Sequence, residues 1–443
     1  MDTYFVTGGK PLFGSVPIHG SKNSVLPILA ATILARGESV IHNCPALSDV
    51  FVTAEILECL GCRVHWDAST MTVDATHVTG GQIPDSLMQE MRSSVLFLGP
   101  LLARLGSAEM CCPGGCALGP RPIDLHVRAL KRLGAAVREE AGRLQCTAKR
   151  LYGRRIILDI PSVGATENIM LAACGAKGST IISNAAREPE IVDLQGFLRS
   201  MGAKVWGAGG STIYIEGAED LHPGEFTVMS DRIVAATYLC AVAAAKGEVE
   251  LQGADVRTVA PVIAALTEAG CSIRSANGGR IWIQSRDPLH AIRPIYTAPY
   301  PGFPTDAQPV LMAALAGSVG KTTFVETIFS NRYSHAEGLY RMGADISIRQ
   351  RTAEITGNLF LHGAEVEAYD LRGGAALVVG ALGAQGESQI TGLSYIDRGY
   401  ENFEGDLASL GAQIVRVKQR EADTLLPQDT QEPIVAVCAA GGQ

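Results

Sequence analysis

The sequence Leu60-Gly61-Cys62-Arg63-Val64 recurs in related form six times along the chain. The other copies are LGAAV (133–137), MGAKV (201–205), AGCSI (269–273), MGADI (342–346) and LGAQI (410–414). Successive copies begin 73, 68, 68, 73 and 68 residues apart, so the order of spacings repeats after three copies. Two halves that share one pattern in the same order indicate an internal duplication, here with a shift of 209 residues.

A second glycine precedes each copy, between an alanine- and leucine-rich stretch and a β-branched stretch. These glycines are Gly37, Gly106, Gly178, Gly247, Gly320 and Gly386. A glycine after an apolar helix is typical of a left-handed C-cap. Each unit therefore predicts a buried helix, a strand, an amphipathic helix that ends at the LGA turn, and a hairpin. The predicted fold class is α/β, with six βαβαββ-like units, three in each half.

The 209-residue shift relates the region near residue 20 to the region near residue 229 and so sets the expected domain borders. We expect a first domain over residues 20–229. Residues 1–19 should join residues 230–418 in the second domain. Residues 419–443 lie beyond the sixth unit and are expected to form a C-terminal tail.

Composition restricts the class of protein. The chain has 443 residues, of which 47% are hydrophobic and 19% are charged, so it can fold and bury large cores. Its net charge of −8 argues against a general binder of nucleic acid or of anionic membranes. Neither a signal peptide nor an apolar run of about 18 residues is visible, so we expect a cytoplasmic protein. The 11 cysteines are an odd number and do not indicate a disulfide framework.

Polar residues open each predicted apolar helix. Ser162, Ser230 and Thr305 are typical N-caps. Three other helix starts carry a basic residue, which opposes the positive end of the helix dipole. The three are Lys22, Arg92 and Arg372. Cations in this unfavourable position indicate an anionic ligand, which a cleft between the domains could enclose.

One loop carries a cysteine among glycines and prolines. The segment PGGCALGPRPIDLH (113–126) is too rich in these residues for a helix or strand and could act as a lid. Its Cys116 precedes Arg121 by five residues, and a nearby cation would favour the thiolate. A lone cysteine is otherwise most often an inert core residue.

Ten segments resemble the UDP-N-acetylglucosamine 1-carboxyvinyltransferases, a family of enolpyruvyl transferases. They are GSKNSVLPILAA (20–31), MRSSVLFLGPLLAR (91–104), PGGCALGPRPIDLH (113–126), SVGATENIM (162–170), NAAREPEIVDL (184–194), SDRI (230–233), PGFPTDAQ (301–308), FSNRYSH (329–335), YDLRGGAALV (369–378) and IDRGYENFEGDLASLGA (396–412). The resemblance implies two inside-out α/β barrel domains, each of three βαβαββ units, which close on the substrates.

The same resemblance implies the activity. The enolpyruvyl group of phosphoenolpyruvate would be transferred to the 3-hydroxyl of UDP-N-acetylglucosamine by addition–elimination, with release of phosphate. This is the first committed step of peptidoglycan precursor synthesis and is blocked by fosfomycin. The partners would be these two small substrates, with no nucleic acid, membrane or cofactor, and the protein would be a monomer or a weak homo-oligomer.

Site residues follow from the matching motifs. The catalytic set is Cys116 (general acid and covalent phosphoenolpyruvate adduct), Asp306 (base or orienter of the sugar hydroxyl), Lys22 and Arg398. Phosphoenolpyruvate would be held by Lys22, Asn23, Arg92, Arg121, Arg372 and Arg398. UDP-N-acetylglucosamine would be held by Asn23, Arg92, Arg121, Pro122, Ile123, Asp124, Leu125, Ser162, Val163, Gly164, Asp306, Ile328 and Phe329. Closure or supporting roles fall to Glu188, Glu190, Asp231, Arg232, Arg332 and Asp370. No metal site is expected.

The chain departs from the family pattern at one point. Some members carry a basic residue two places before the matching Ser162, where this chain has Ile160 followed by Pro161. One contact to a UDP phosphate is therefore in doubt. Two other functions stay open: an enolpyruvyl transferase with a shikimate-type acceptor, and a non-catalytic paralogue that binds UDP-sugars. His126 and His335 lack a metal-ligand pattern, and we expect them at the surface or in ordinary hydrogen bonds.

Overall fold

The computed structural model describes residues 2–111, 118–119 and 122–418. Its strands are β1 (Thr3–Thr7), β2 (Leu12–Pro17), β3 (Glu38–His42), β4 (Arg63–Asp67), β5 (Thr70–Asp74), β6 (Ser107–Cys111), β7 (Ala136–Glu140), β8 (Arg143–Thr147), β9 (Arg155–Ile157), β10 (Ser179–Ser183), β11 (Lys204–Trp206), β12 (Thr212–Glu216), β13 (Glu225–Thr227), β14 (Gly247–Gln252), β15 (Ser272–Ala276), β16 (Arg280–Ser285), β17 (Ile295–Tyr296), β18 (Lys321–Val325), β19 (Asp345–Arg349), β20 (Thr352–Thr356), β21 (Glu365–Glu367), β22 (Glu387–Thr391) and β23 (Gln413–Val417).

The helices alternate with these strands. They are α1 (Lys22–Ala31), α2 (Ser48–Cys59), α3 (Asp85–Glu90), α4 (Leu98–Leu105), α5 (Asp124–Arg132), α6 (Val163–Cys174), α7 (Pro189–Ser200), α8 (Arg232–Ala245), α9 (Ala260–Glu268), α10 (Gln308–Leu315), α11 (Ala336–Arg341), α12 (Leu371–Gly383), α13 (Leu393–Ile396) and α14 (Phe403–Ser409). Two 3-10 helices, Thr32–Leu34 and Arg92–Phe97, adjoin α1 and α4. Within the described ranges no helix is long and apolar enough to cross a membrane.

Six small sheets surround these helices, so the α/β class is confirmed. Their strand orders are β13-β3-β5-β4, β6-β8-β7, β11-β12-β10-β9, β15-β16-β14-β2, β17-β18-β20-β19 and β21-β22-β1-β23. In five of them an edge strand runs parallel to a neighbour, while the hairpin strands pair antiparallel.

The N-terminal strands pair with strands of the C-terminal half, as expected. β1 inserts between β22 and β23, with Tyr4 opposite Ile390 and Arg416. In the other four-stranded sheets this inner position is occupied by the second strand of a hairpin, namely β5, β12, β16 or β20. β2 pairs in parallel with β14. Residues 2–17 therefore complete two sheets that are otherwise built from residues 247–417.

The glycines of both repeated signatures adopt positive φ. The LGA glycines have φ between 87° and 109°, and the preceding set has φ between 72° and 114°. Gly106 is the left-handed C-cap of α4. The positive φ expected for these glycines is therefore found in each unit, but the left-handed C-cap itself is confirmed at Gly106 only. At the end of α8 the cap is Lys246, and Gly247 is the first residue of β14.

Three apolar helices lie at the centre of each half. In the first half these are α1, α4 and α6, and in the second half α8, α10 and α12. Nearly every residue of these helices except those of α4 is buried, because the sheets cover them from outside. The buried apolar residues form two clusters. One runs from Val25 to Val228, and the other combines Tyr4–Ile18 with Val234–Ile414.

Two chain segments cross side by side between these clusters. Ser21 N–H donates to the Met229 carbonyl (2.7 Å), and Asp231 N–H donates to the His19 carbonyl (2.9 Å). Gly20 and Ser230 form an antiparallel bridge. The helices α1 and α8 therefore begin next to each other, immediately after the crossing.

Two of the predicted N-caps are wrong. Ser162 caps α6 through its side chain, as predicted. The cap of α8 is Asp231 rather than Ser230, and α10 begins only at Gln308, three residues after Thr305. Thr305 Oγ1 instead donates to Glu326 Oε2 (3.0 Å). A carboxylate accepts two helix N–H groups at once, which favours Asp231 over its neighbouring serine.

Candidate active site

A buried carboxylate joins two predicted site cations. Lys22, the first residue of α1, places Nζ 2.7 Å from Asp49 Oδ2 in the first turn of α2. Arg398, from the segment after α13, donates through Nε to Asp49 Oδ1 (2.8 Å) and through a terminal nitrogen to Oδ2 (3.2 Å). The side chains of Lys22 and Asp49 are 9% and 5% exposed, whereas Arg398 is 34% exposed. Arg398 therefore stays partly accessible to solvent while it holds Asp49.

Burial and charge act on both partners. Burial lowers the pKa of Lys22; Asp49 opposes this effect, while Arg398 and Arg372 add to it. Burial alone would raise the pKa of Asp49, but Lys22 and Arg398 outweigh it, and the net pKa lies below the usual value. Asp49 is therefore an ionised group whose charge keeps two cations together.

Asp231 connects the starts of the two adjacent helices. Its Oδ1 accepts from the N–H groups of Ile233 and Val234, in the first turn of α8. Its Oδ2 accepts from Lys22 N–H (3.1 Å). Lys22 and Asp231 are 209 residues apart, which is the shift of the duplication. Equivalent positions of the two halves thus meet at one point.

Asp306 lies between two arginines. Arg332 donates to Asp306 Oδ1 (2.6 Å) and also holds the Thr305 carbonyl through Nε (3.1 Å). Arg372, from the first turn of α12, approaches Asp306 Oδ2 at 3.4 Å. Both guanidinium groups are buried, whereas Asp306 is 29% exposed. The pKa of Arg372 is raised, because Asp306 and Tyr400 outweigh its burial.

A group of glutamates faces the second half. Arg232 donates to Glu190 Oε1 (2.9 Å), and Glu188 Oε1 accepts from Tyr300 N–H (3.2 Å). Glu167, on α6, lies close to both glutamates. Burial first, and then Glu190 and Glu188, raise its pKa to about 8. The predicted closure residues Glu188, Glu190 and Arg232 therefore do join the two halves.

The predicted UDP segments lie at helix starts. Ser162 Oγ accepts from Ala165 N–H, and Val163 and Gly164 open α6. Asp124, at the first position of α5, pairs with Arg128 (3.0 Å). Ile328, 38% exposed, donates its N–H to Glu326 (2.8 Å). Ile160 is 61% exposed and supplies no charge where some family members carry one.

Several other predicted residues take supporting places. Asp370 caps α12 and accepts from Ser334 Oγ (2.5 Å), so it orders the helix that carries Arg372. Arg332 lies 5.6 Å from the centre of the Phe329 ring. Arg92 opens a 3-10 helix rather than an α-helix, and Asn23 is half-buried at the second position of α1.

Cys116 and Arg121 lie outside the described residues. Between them, Leu118 and Gly119 are described and reach the second half. Asn331 N–H donates to the Leu118 carbonyl (3.3 Å), and Gly119 lies against Ser330. Leu118 and Gly119 thus lie beside residues 330–331, next to Arg332 in the sequence.

The chain is similar to known proteins over nearly its whole length. A family model described as EPSP synthase (3-phosphoshikimate 1-carboxyvinyltransferase) matches residues 6–407. UDP-N-acetylglucosamine 1-carboxyvinyltransferase 2 of Caldanaerobacter subterraneus is 51% identical over 417 residues, 94% of this chain and 100% of the relative. UDP-N-acetylglucosamine 1-carboxyvinyltransferase 1 of Symbiobacterium thermophilum is 48% identical over 422 residues, 94% of this chain and 95% of the relative.

The chain belongs to the UDP-N-acetylglucosamine 1-carboxyvinyltransferase family.

Solved structures share its fold. The enolpyruvyl transferase NikO from Streptomyces tendae superposes with a TM-score of 0.86 at 26% identity, covering 94% of this chain and 99% of that one. EPSP synthase from Acinetobacter baumannii superposes with a TM-score of 0.73 at 21% identity, covering 94% and 100%. The enolpyruvyl transferase fold is therefore shared with proteins whose sequences differ widely.

Sequence reasoning about this carboxyvinyltransferase family member missed two buried polar residues, Asp49 and Asn168. Asp49 gave no signal beyond being an acidic residue in a first helical turn, which is commonplace. Asn168, in the middle of α6, lies beside His126 of α5, with Asn168 Nδ2 3.0 Å from His126 Nδ1. Both His126 and His335 are buried rather than at the surface, and His126 takes the other expected role, a hydrogen bond, here with Asn168. In the described part of the chain no three potential ligands are grouped to hold a metal ion.

Proposed function

We propose that this protein transfers the enolpyruvyl group of phosphoenolpyruvate to the 3-hydroxyl of UDP-N-acetylglucosamine and releases phosphate. The observation that carries the proposal is an identity of 46–51% over nearly the full length to several relatives with this named activity. The reaction begins peptidoglycan precursor synthesis. We place it in the cytoplasm, where the sugar nucleotide is made, and expect a monomer or a weak homo-oligomer.

We also propose the finer architecture that the duplication predicts. Each domain is an inside-out α/β barrel of three βαβαββ units, with borders at residues 20–229 and at 1–19 plus 230–418. The two separate apolar clusters and the six sheets support this division. The substrates bind between the domains, and residues 419–443 take no part in the chemistry.

The cations match the charge of the first substrate. Phosphoenolpyruvate carries a phosphate and a carboxylate, which need several donors. Lys22, Arg121 and Arg398 bind the phosphate side, and Arg92 and Arg372 complete the anionic site together with Asn23. Arginine offers a planar pair of donors to two oxygens, whereas Lys22 acts as a point charge. For Lys22, Arg398 and Arg372, positions close to Asp49, Asp231 or Asp306 support this assignment.

Addition moves two protons. Cys116 delivers a proton to the methylene carbon of phosphoenolpyruvate, and the sugar 3-hydroxyl oxygen bonds to C2. Asp306, held by Arg332, receives or directs the hydroxyl proton. The product of this step is a tetrahedral phospholactoyl ketal. Cys116 Sγ can also attack C2 itself, which accounts for a covalent adduct.

Elimination reverses the proton flow. The new methyl group returns a proton to a base, the bond from C2 to the phosphate oxygen breaks, and phosphate leaves toward the cations. The enol ether remains on the sugar. No electrons are gained or lost overall, so the reaction needs no redox partner.

The sugar nucleotide occupies the second subsite. Residues 121–125 and Ser162–Gly164 hold its UDP part, with the start of α6 directed at a phosphate. Ile328 and Phe329 contact the acetamido side of the sugar. The 29% exposure of Asp306 supports a position where the 3-hydroxyl can reach it.

A product analysis tests the function. Purified protein is incubated with phosphoenolpyruvate and either UDP-N-acetylglucosamine or shikimate 3-phosphate, and the acceptors are analysed by mass spectrometry. We expect an added enolpyruvyl group on the sugar nucleotide alone. Modification of shikimate 3-phosphate instead would support the activity named by the matching family model. Binding of the sugar nucleotide without any product would support a non-catalytic paralogue.

A further inference from the structure

Two buried polar residues lie where the predicted UDP segments meet. His126 is the third residue of α5 and directly follows residues 121–125 in the sequence. Asn168 lies on α6, and Ser162–Gly164 form the start of that helix. The exposed fractions are 8% for His126 and 0% for Asn168. Because both side chains are buried, the loss of a hydrogen bond by either of them would cost folding free energy.

The amide of Asn168 has one possible orientation. Its Nδ2 lies 2.9 Å from the Val95 carbonyl oxygen and 3.0 Å from His126 Nδ1. A carbonyl only accepts, so the NH₂ group must be the end that faces Val95. The same NH₂ group therefore donates to His126 Nδ1.

This donation fixes the tautomer of His126. Nδ1 accepts and carries no proton, so the neutral ring carries its proton on Nε2. Burial first, and then Arg92, lower the pKa of His126 to about 4, whereas Asp124 acts in the opposite direction. The ring is neutral at the pH of the cytoplasm, and a second proton on Nδ1 would meet the amide donor.

The protonated edge of the ring faces the start of α6. An ideal Cβ on Gly164 would lie 3.3 Å from His126 Cε1 and 3.5 Å from Nε2. The absence of a side chain at Gly164 thus lets the Nε2–H edge lie beside the first turn of the helix. Ile160 and Pro161, just before Ser162, carry no positive charge. A hydrogen-bond donor at this place would therefore supply a contact to a UDP phosphate that these two residues cannot make.

We propose that Asn168 is a positioning residue that holds His126 as its Nε2–H tautomer, so that His126 donates a hydrogen bond to the diphosphate of the UDP-sugar. The inference rests on the proposed function, because it assumes that Ser162–Gly164 bind UDP. Asn168 acts through His126 and does not touch the substrate. The arrangement gives a neutral donor whose binding strength is independent of pH near neutrality.

Nitrogen NMR of protein labelled with ¹⁵N-histidine tests the tautomer without any substrate. The His126 resonance is assigned with the His126→Gln variant. We expect a protonated Nε2 and an unprotonated Nδ1 throughout the range from about pH 6 to pH 8 that an ordinary histidine spans. A proton on Nδ1, or a ring that titrates in this range, would overturn the proposal.

Calorimetric binding of UDP-N-acetylglucosamine tests the donor. His126→Phe should bind about ten- to a hundredfold more weakly, because a hydrogen bond to a charged group is lost. His126→Gln can place an amide NH₂ at the position of Nε2 and should stay within a few-fold of the wild type. Thermal unfolding of each variant shows that the fold is retained. Equal affinity of His126→Phe and wild type would overturn the proposal.

The Asn168→Asp variant distinguishes a positioning role from a purely structural one, because only a positioning role predicts a change in how affinity depends on pH. A carboxylate accepts a hydrogen bond from Nδ1–H and so stabilises the imidazolium. Affinity for the sugar nucleotide should then become pH-dependent and tighter at pH 6 than at pH 8, while the wild type stays flat. A flat profile in the variant would count against the proposal. If the wild type itself neither binds the sugar nucleotide nor forms product, the proposed function fails as well; if only the variants behave unexpectedly, this inference alone fails.

Discussion

At the scale of single residues, three cations of the proposed site, Lys22, Arg372 and Arg398, each have a carboxylate beside them. Lys22 pairs with Asp49, Arg372 with Asp306, and the Lys22 N–H with Asp231. The cations at helix starts are thus tolerated because nearby carboxylates compensate them. The Arg398 side chain is more exposed than those of Lys22 and Asp49, and we expect it to attract an arriving anion first.

Asp49→Asn tests this compensation. The substitution keeps the shape but removes the charge between Lys22 and Arg398. Asp49 opposes the lowering of the Lys22 pKa, so in the variant that pKa falls further and the ammonium loses its proton at lower pH. We expect kcat/KM for phosphoenolpyruvate to fall about tenfold or more, with its alkaline limb shifted to lower pH.

The control for this experiment is Asp255→Asn, which breaks the exposed pair with Arg257. That variant should keep the wild-type rate, because exposed ion pairs contribute little. An Asp49→Asn enzyme with an unchanged pH profile for phosphoenolpyruvate would contradict the role given to Asp49.

The sequence predicted part of the site because some residues break a local rule. Lys22 and Arg372 stand at positive helix ends, where a cation is unfavourable, and this conflict pointed to an anion. Asp49 and Asn168 break no rule: an acidic first turn and a polar residue within an apolar helix are ordinary. Their roles depend on partners 349 and 42 residues away, Arg398 and His126, which only the tertiary structure brings close.

At the scale of elements, the repeated glycines set the length and direction of each unit. A glycine with positive φ lets the chain turn between the apolar helix and the strand that follows. Gly247 has a φ of 114°, and a Cβ there would lie 1.9 Å from the Leu12 carbonyl oxygen of β2. The close approach of β2 to β14 therefore depends on the missing side chain.

The variants Gly247→Ala and Gly178→Ala separate the effect of a positive φ from the effect of the close approach between strands. Gly178 is the equivalent residue of another unit, with a φ of 89° and nothing within 4 Å of an added Cβ. Gly178→Ala should cost only backbone strain, about 1–2 kcal/mol of the free energy of unfolding. Gly247→Ala should cost roughly 3 kcal/mol more, because two backbones must separate. Thermal unfolding midpoints measure both, and equal shifts would refute the explanation by close approach.

Element boundaries were less predictable than the elements. The periodic glycines located six helix–strand junctions, because that signal is local and repeated. The N-caps of α8 and α10 were wrong, since serine, threonine and aspartate compete for the same role and their tertiary contacts decide. The sequence predicted that the N-terminal residues pair with the C-terminal half. It did not predict that β1 inserts between β22 and β23, because that register depends on distant strands.

At the scale of the whole molecule, duplication creates the site. Equivalent positions Lys22 and Asp231 meet where the chain crosses between the two apolar clusters. Helix starts from both halves are then close together, and charges from distant sequence positions act on one small volume. The net charge of −8 belongs to the whole chain and does not exclude small anionic substrates, because Lys22, Arg372 and Arg398 lie close to this junction. The two-barrel description and the domain borders remain predictions.

The initial rate of phosphate release from phosphoenolpyruvate, with and without UDP-N-acetylglucosamine, tests the central claim most directly. The wild type should release phosphate only when the sugar nucleotide is present, because addition must precede elimination. Cys116→Ala should release at least about a hundredfold less under the same conditions, since the proton donor is missing. Release that does not depend on the sugar nucleotide, or that proceeds at the wild-type rate in Cys116→Ala, would contradict the account.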